Sequence, residues 1–443
     1  MKIISDLHLH SKYSRACSKD LDLDNMQKWA MVKGINLLGT GDFTHPIWNK
    51  ELKTKLEGED GIYSLKGKKQ NNFNFMLTTE ISLIYTQERG RKVHNIVWAP
   101  DLEVVDQIIE YLLKKGRLDY DGRPIFKIPC PEFTESLKEI SEDIEVIPAH
   151  VWTPWFGMYG TNSGFDSLKE CFQDKANKIY AIETGMSSSP EMNWRIDELK
   201  NRAIVSFSDS HSFWPWRLGR EATVFDVKKL TYKEIIRQIR NNEVHSTIEV
   251  DPGYGKYHFT GHRNCNVVLN AEEARKVNNI CPKCKKALTI GVLERVEALA
   301  NHPEGYKIQN TKPSYTLVPL SELISGYYHY PVASKKTWEI YNRFMAAFKT
   351  EFTILLDAEE KELTNVDAEI AKLVMKNRAG KVEVLPGFDG VYGVPVIHGN
   401  EQYDFDVKEK PAKVSKKSEG KINPKKEIGK TTTKEQASLS KFF

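Results

Sequence analysis

The sequence predicts an α/β fold: a parallel sheet closed or nearly closed into a barrel, followed by smaller modules and a polar tail. Three observations carry this. Short apolar runs alternate with helical patterns through residue 211, which is the signature of a parallel sheet with crossover helices. Each run ends in histidine, aspartate or glutamate, and such barrels place their chemistry at the C-terminal ends of the strands. The composition, 40% hydrophobic and 10% aromatic over 443 residues, is enough for real cores, and about three domains are expected at that length.

The first run, Ile3 and Ile4, leads into Asp6-Leu7-His8-Leu9-His10. Residues two apart in extended backbone point to one side, so His8 and His10 project together with Asp6. Two imidazoles and a carboxylate suit a zinc-like ion. Residues 35–38 lead through Gly-Thr-Gly to Asp42 and His45, and residues 73–77 to Glu80. His94 borders the run 94–98, and residues 145–148 lead to His150. Residues 179–182 lead to Glu183, and residues 204–207 to Asp209 and His211. Between them, Asp101 caps a helix over 102–115 with apolar residues at helical spacing. Ser189-Pro190 starts a helix over 191–200. Thr231 with Glu234 is a capping box ahead of 235–239. A single histidine at a strand end is ordinarily a cap or a hydrogen-bonded surface group. Six of the twelve histidines at such junctions (8, 10, 45, 94, 150 and 211) are not explained that way.

These motifs, with Ser-Asp209-Ser-His211 the last of them, resemble the successive motifs of the polymerase-and-histidinol-phosphatase (PHP) superfamily. The resemblance implies a distorted (β/α)7 barrel that binds two or three divalent metals, Zn, Mn or Mg, and hydrolyses phosphoesters. By the same resemblance His8, His10, Glu80 and Asp209 hold one ion, and Glu80 bridges to a second shared with His94 and His150. His211, with Asp42 or His45, holds a third; the family's Thr-Asp-His is broken here by Phe43. Two cations bridged at roughly 3.5–4 Å suit in-line attack on phosphate. Asp209 and Asp6 take the catalytic carboxylate roles, Asp6 by holding a ligand histidine through its other nitrogen.

Trp152 and Trp155 follow His150, and Trp214, Trp216, Arg217 and Arg220 follow His211. Aromatic faces with arginines beside a phosphodiester site suit unstacked bases; the plainer reading packs these rings into the barrel rim. His262 and Cys265, then Cys281 and Cys284, have the spacing of a structural zinc ribbon, with His258 a rival fourth ligand. Helical patterns follow over 290–300, 334–348 and 367–376, with a short start at Ser321. Leu385-Pro-Gly-Phe-Asp-Gly-Val-Tyr-Gly then breaks regular structure, either as a tight turn or as a close approach of backbone to a ligand.

The order of these pieces resembles the archaeal endonuclease Q family over roughly residues 1–400. That resemblance implies a DNA repair nuclease that nicks 5′ of deaminated bases (uracil, hypoxanthine, xanthine) and of abasic sites. It divides the chain into a metal barrel (1–250), a zinc-binding module (251–291) and a helical DNA-binding domain (292–403). A disordered basic linker (404–435) and a terminal peptide (436–443) follow. The basic character is largely in this tail: residues 408–443 hold 11 Lys against 4 Glu, +7, which leaves −3 for the rest of a chain whose net charge is +4. Gln436, Leu439, Phe442 and Phe443 resemble the peptide bound by sliding clamps (PCNA), with Leu439 and Phe442 on one side of a helical turn.

No apolar run reaches the ~18 residues of a membrane span, and the N-terminus lacks a secretory pattern. The expectation is a monomeric cytoplasmic, nucleoid-associated protein. Two other readings use the same residues: a small-molecule phosphoesterase of the histidinol-phosphatase type, and a non-catalytic clamp-binding scaffold holding only structural zinc.

Overall fold

The computed structural model describes residues 1–68, 70 and 72–397; the expected linker and the clamp-binding residues Gln436, Leu439, Phe442 and Phe443 lie outside the described residues. The fold is mixed α/β, and its strands form several hydrogen-bonded sheets rather than one closed parallel sheet. The largest runs in the order Ser314–Thr316, Ser246–Glu249, Ala222–Asp226, Lys2–Asp6, Leu37–Gly39, Asn74–Met76, Ile62–Leu65, Leu56–Glu59. Lys2–Asp6 pairs parallel with Leu37–Gly39, which pairs parallel with Asn74–Met76, as the strand–helix alternation predicts. Ala222–Asp226 joins the other edge of Lys2–Asp6 antiparallel.

The departure from a uniform parallel barrel comes from the long hairpin Thr78–Gln87 and Arg89–Trp98. It turns at Glu88 (φ 61°) and pairs from Thr78↔Trp98 to Gln87↔Arg89. Two strands joined by one residue have to run antiparallel. Glu145–Pro148 continues that sheet, and Ala181–Glu183 pairs parallel with Ala203–Val205 in a sheet of its own. The sheets are bridged at their edges. Ala99 N donates to Leu77 O (3.1 Å), Val151 N to Glu183 O (3.1 Å) and Ser206 N to Thr223 Oγ1 (3.0 Å). Leu7, Leu37, Met76, Ile96, Ile147, Ala181, Val205 and Phe225, one from each strand or its end, pack together in a single buried cluster. The site sits on that filled interior.

The helices form where local chemistry starts them. Asp101 accepts from Val104 N at the head of Leu102–Leu113, and Thr231 accepts from Glu234 N ahead of Tyr232–Arg240. The helix predicted over 191–200 is shorter. Pro190–Trp194 ends where Arg195 Nε donates to His302 O and Asp197 N to Asn301 Oδ1. Tertiary partners there take over from the next helical turn.

Of the expected helical region 292–403, the described part, residues 292–397, is not wholly helical. Ser314–Thr316 extends the large sheet, and the hairpin Glu383–Leu385 with Val394–Val396 clasps residues 253–261. Gly387 N donates to Gly253 O (2.7 Å) and Gly393 N to Tyr254 O (3.0 Å), so the glycine-rich run is a turn that serves packing. The helices Leu320–Tyr328, Lys335–Phe348 and Ala368–Arg378 are tied to the N-terminal part by a buried ion pair. Lys33 Nζ lies 2.7 Å from Glu351 Oε1, and Glu351 also accepts from Leu320 N and Tyr341 Oη. Among the described residues, no helix is long and apolar enough to cross a membrane.

Candidate metal centre

Two strands and two loops bring His8, His10, Glu80 and Asp209 together, with their nearest donor atoms all within 4.8 Å of one another. His8 and His10 leave the end of Lys2–Asp6 on one side, as period-two geometry requires. Glu80 lies near the start of Thr78–Gln87 and is fully buried. Its Oε2 is 3.5 Å from His8 Nε2 and 3.2 Å from His10 Nε2. Asp209 Oδ1 is 3.7 Å and 3.2 Å from the same two nitrogens. On the other side, Glu80 Oε1 is 2.7 Å from His94 Nδ1 and 3.2 Å from His150 Nε2, a second group of three donors. One carboxylate therefore serves two donor sets through its two oxygens, an arrangement suited to a pair of bridged cations.

The chemistry of the donors fits ions there. His8 Nε2, His10 Nε2 and Asp209 Oδ1 are buried and have no hydrogen-bond partner among the described residues, although buried polar atoms are otherwise almost always paired. The charge states agree. Burial pushes the Glu80 carboxyl up, but His94, Arg123 and His8 outweigh it and hold it well below the usual range. Asp209 is held low in the same way, burial being overcome by the neighbouring imidazoles, first His10 and then His8 and His211. Burial takes His94 down to about 4 against the pull of Glu80, so it presents a neutral donor. His8 and His10 go the other way: burial is overcome by Glu183 and Glu80 for the first, and mainly by Asp42 for the second. These anions and imidazoles favour a cation between them, whether proton or metal.

A ring of further groups aims these candidate donors. Glu183 reaches His8 Nδ1 with both oxygens (2.9 and 3.1 Å) and also accepts from His150 N (2.7 Å). Asp42 Oδ1 is 3.0 Å from His10 Nδ1, while its Oδ2 accepts from Ser11 N, Ser11 Oγ and Ser14 Oγ. Thr153 Oγ1 sits 3.0 Å from His150 Nδ1. The backbone is strained at the same places: His150, Asp42 and Asp209 all have positive φ (31°, 48° and 47°), as functional residues often do. Gly185 (φ 64°) lets its loop pass His150, whose Cβ would lie 2.6 Å from an added Cβ.

Several predicted site residues stand elsewhere. Asp42 braces His10 and is no part of either donor group. His45 heads the helix Pro46–Lys55 and stacks on Tyr13 at 4.5 Å. His211 turns Nδ1 to Asp209 O (3.0 Å) and packs its ring on His10. These three assemble no third donor group among the described residues. Asp6 does not touch a ligand histidine with a hydrogen bond either. It accepts from Ser208 N, Ser208 Oγ and Gly219 N, fastening the loop that carries Asp209, and burial raises it to about 6 against those bonds.

Three of the four tryptophans are core residues. Trp152 is 1% exposed, bonds Asn193 and stacks on Tyr159. Trp214 and Trp216 stack on each other at 5.3 Å and meet Trp29 or Trp338 from distant segments. Trp155, 40% exposed and edge-on to Tyr257, is available to a ligand.

Trp155 lines a cavity of about 400 Å³ with His94, His150, Asp209, Arg220, Lys256 and Tyr392. Arg220 is buried, donates to Ser208 O, and has Nε and Nη1 without partners among the described residues. Arg217 lies over the Tyr392 ring at 5.6 Å.

Glu183 and Arg123 are the site residues that sequence reasoning left out. Glu183 ends an apolar run as the ligands do, so its position was visible but its role was not. Arg123 sits in a loop with no pattern of its own.

A separate group is formed by His262, Cys265, Cys281 and Cys284. Cys284 Sγ is 3.2 Å from His262 Nδ1, whereas His258 turns Nδ1 to Ser187 O at 3.4 Å, outside the group. Burial would raise the Cys281 thiol, but the backbone amides of Cys284 and Lys283 and the His262 ring bring it to about 6, a thiolate ready for metal.

A family model described as the MJ0043 C-terminal domain matches residues 319–381. The uncharacterised protein MJ0043 of Methanocaldococcus jannaschii is 30% identical over 295 residues, 64% of this chain and 35% of that protein, so the chain spans about a third of that relative. The crystal structure of the lesion-specific endonuclease PfuEndoQ from Pyrococcus furiosus is similar with a TM-score of 0.80 and 32% identity, over 90% of this chain and 96% of that one. Endonuclease Q in complex with a 27-mer duplex substrate, with an abasic lesion at the active site, is similar to the same degree over 90% of this chain and 97% of that one.

Proposed function

The chain belongs to the endonuclease Q family, and on that premise we propose that it is a metal-dependent DNA repair endonuclease that nicks duplex DNA at abasic sites and 5′ of deaminated bases. The observation that carries the reading is Glu80, whose two oxygens serve two histidine-rich donor sets. His8, His10, Glu80 and Asp209 would hold one ion, and Glu80, His94 and His150 the other. Divalent ions there, Zn, Mn or Mg, supply Lewis acidity toward a phosphodiester and a more acidic water. We take the bridged sheets as a distorted PHP-type barrel, in which these strand ends are the expected place for such chemistry.

The chain's own residues do the rest. Glu183, Asp42 and Thr153 fix the rings of His8, His10 and His150, so the donors need no rearrangement at the moment of reaction. The cavity beside His94 and His150 is of a size to take an extruded base, with the face of Trp155 for stacking and the unpaired nitrogens of Arg220 as donors. Arg217 and Lys256 at its rim suit the backbone that the base leaves. The His262–Cys284 group is a structural zinc site that holds the 251–291 module beside that cavity. The terminal peptide would tether the enzyme to the sliding clamp, and the lysines before it would add a salt-dependent attraction to DNA.

The test is cleavage of a labelled duplex holding one abasic site or one deoxyuridine, with Mn²⁺ or Mg²⁺. A nick 5′ of the lesion that a chelator abolishes is the expected result. No nick, with hydrolysis of a small phosphomonoester intact, contradicts the reading.

A further inference from the structure

The loop of residues 119–124 is pressed against the metal centre. A Cβ on Gly122 would meet Asp42 Oδ2 at 2.2 Å and Ser14 Oγ at 2.3 Å, so only glycine allows this approach. Asp121 fixes the loop by accepting from Arg123 N (3.2 Å) and Arg15 N (3.3 Å). From it the Arg123 guanidinium reaches into the site, where Nη1 lies 3.0 Å from Glu80 Oε2. That oxygen is the one both His8 Nε2 and His10 Nε2 face. The side chain remains 26% exposed, so it spans from a fully buried carboxylate to solvent.

A guanidinium there sits where a cation belongs. It is permanently charged, and at such short range it and a divalent ion on the same carboxylate oxygen repel each other. An ion bound among His8, His10, Glu80 and Asp209 therefore weakens the hold of Glu80 on Arg123. The freed fork stays beside the donors, because its loop is anchored by Asp121 and Gly122. Arginine's planar donors match a phosphate's oxygens in pairs.

We propose that Arg123 is a catalytic residue of the nicking reaction that occupies the cation's place on Glu80 when ions are absent and turns to the scissile phosphate when ions and DNA are bound. The catalytic half rests on the nuclease reading given above. The proposal makes an unusual demand: removing Arg123 strengthens metal binding and weakens catalysis, because the same group competes with the first and serves the second. A residue that merely supported Glu80 would weaken both.

Arg123→Met and Arg123→Lys decide it, in full-length chains whose circular dichroism matches the parent. Calorimetric titration with Mn²⁺ alone, without DNA, is expected to show Arg123→Met binding about tenfold more tightly than the parent, as a lost like-charge neighbour implies. Nicking of an abasic duplex at saturating Mn²⁺ is expected to fall about 10²–10³-fold in kcat, the usual loss for one preorganised donor. Arg123→Lys keeps the charge but not the fork, so its Mn²⁺ affinity should match the parent while kcat falls between the two. Unchanged or weaker Mn²⁺ binding by Arg123→Met, or nicking at the parental kcat, would overturn the proposal. A parent chain that fails to nick would overturn the nuclease reading and the catalytic half with it, and the Mn²⁺ titration would still decide the competition.

Discussion

Glu183 offers the sharpest check on how the centre is built. It touches no metal-facing nitrogen, yet both its oxygens lie against His8 Nδ1 and one also accepts from His150 N. Glu183→Gln keeps the shape and one of the two acceptor oxygens, so the fold should hold. It removes the negative charge that makes His8 a stronger donor, and it turns an N–H₂ toward one of the two groups that need an acceptor. Losing such an outer partner ordinarily costs about 10–100-fold in metal affinity, or about 1.4–2.7 kcal/mol. Competition against a chromophoric chelator measures this directly, and the Mn²⁺ dependence of nicking measures it again. Half-saturation should rise by that factor, with kcat recovering at high Mn²⁺. An unchanged metal midpoint together with lost nicking would refute the reasoning, since Glu183 would then act on the reaction and not through the ligands.

Three further outcomes are expected. Asp209→Asn or His8→Ala should abolish nicking while leaving damaged-DNA binding measurable in a gel-shift assay; loss of both together would assign the donors a structural role. Lys33→Met leaves Glu351 charged and fully buried without its partner, so denaturant unfolding should report a loss of about 3–5 kcal/mol, and a change below 1 kcal/mol would show that Glu351 takes a proton instead. Deleting residues 436–443 should leave intrinsic nicking intact and remove stimulation by the sliding clamp, which a clamp-supplemented assay reads; unchanged clamp binding would remove the tail from the account.

What was legible in the sequence followed from local geometry. Period-two projection put His8 and His10 on one side, and carboxylates and imidazoles at strand ends marked Glu80, His150 and Asp209. The same logic could not separate a ligand from the group behind it. Asp42 stands at a strand end as Glu80 does, and only the packed structure shows it turned to His10 Nδ1, with three donors on its other oxygen. Asp6 shares a side with His8 and His10 yet is spent on Ser208 and Gly219, about two hundred residues away in sequence. Trp214 and Trp216 suggest base contacts because they follow His211 in the sequence. Their partners, Trp29 and Trp338, lie so far along the chain that no local pattern reveals the stack. The expectation of a uniformly parallel sheet fails for a related reason: the hairpin turns at Glu88 inside the polar run 86–92, and the alternation of apolar runs does not by itself give the direction of the next strand.

The central claim is that Glu80 bridges two cations, with a third held apart by the cysteines. Element-resolved mass spectrometry on the metal-loaded, gel-filtered chain tests it most directly. The account predicts about three divalent ions per chain, falling to about one in Glu80→Gln, with the survivor lost in Cys281→Ser. A parent chain that carries a single ion, unaffected by Glu80→Gln, would contradict it.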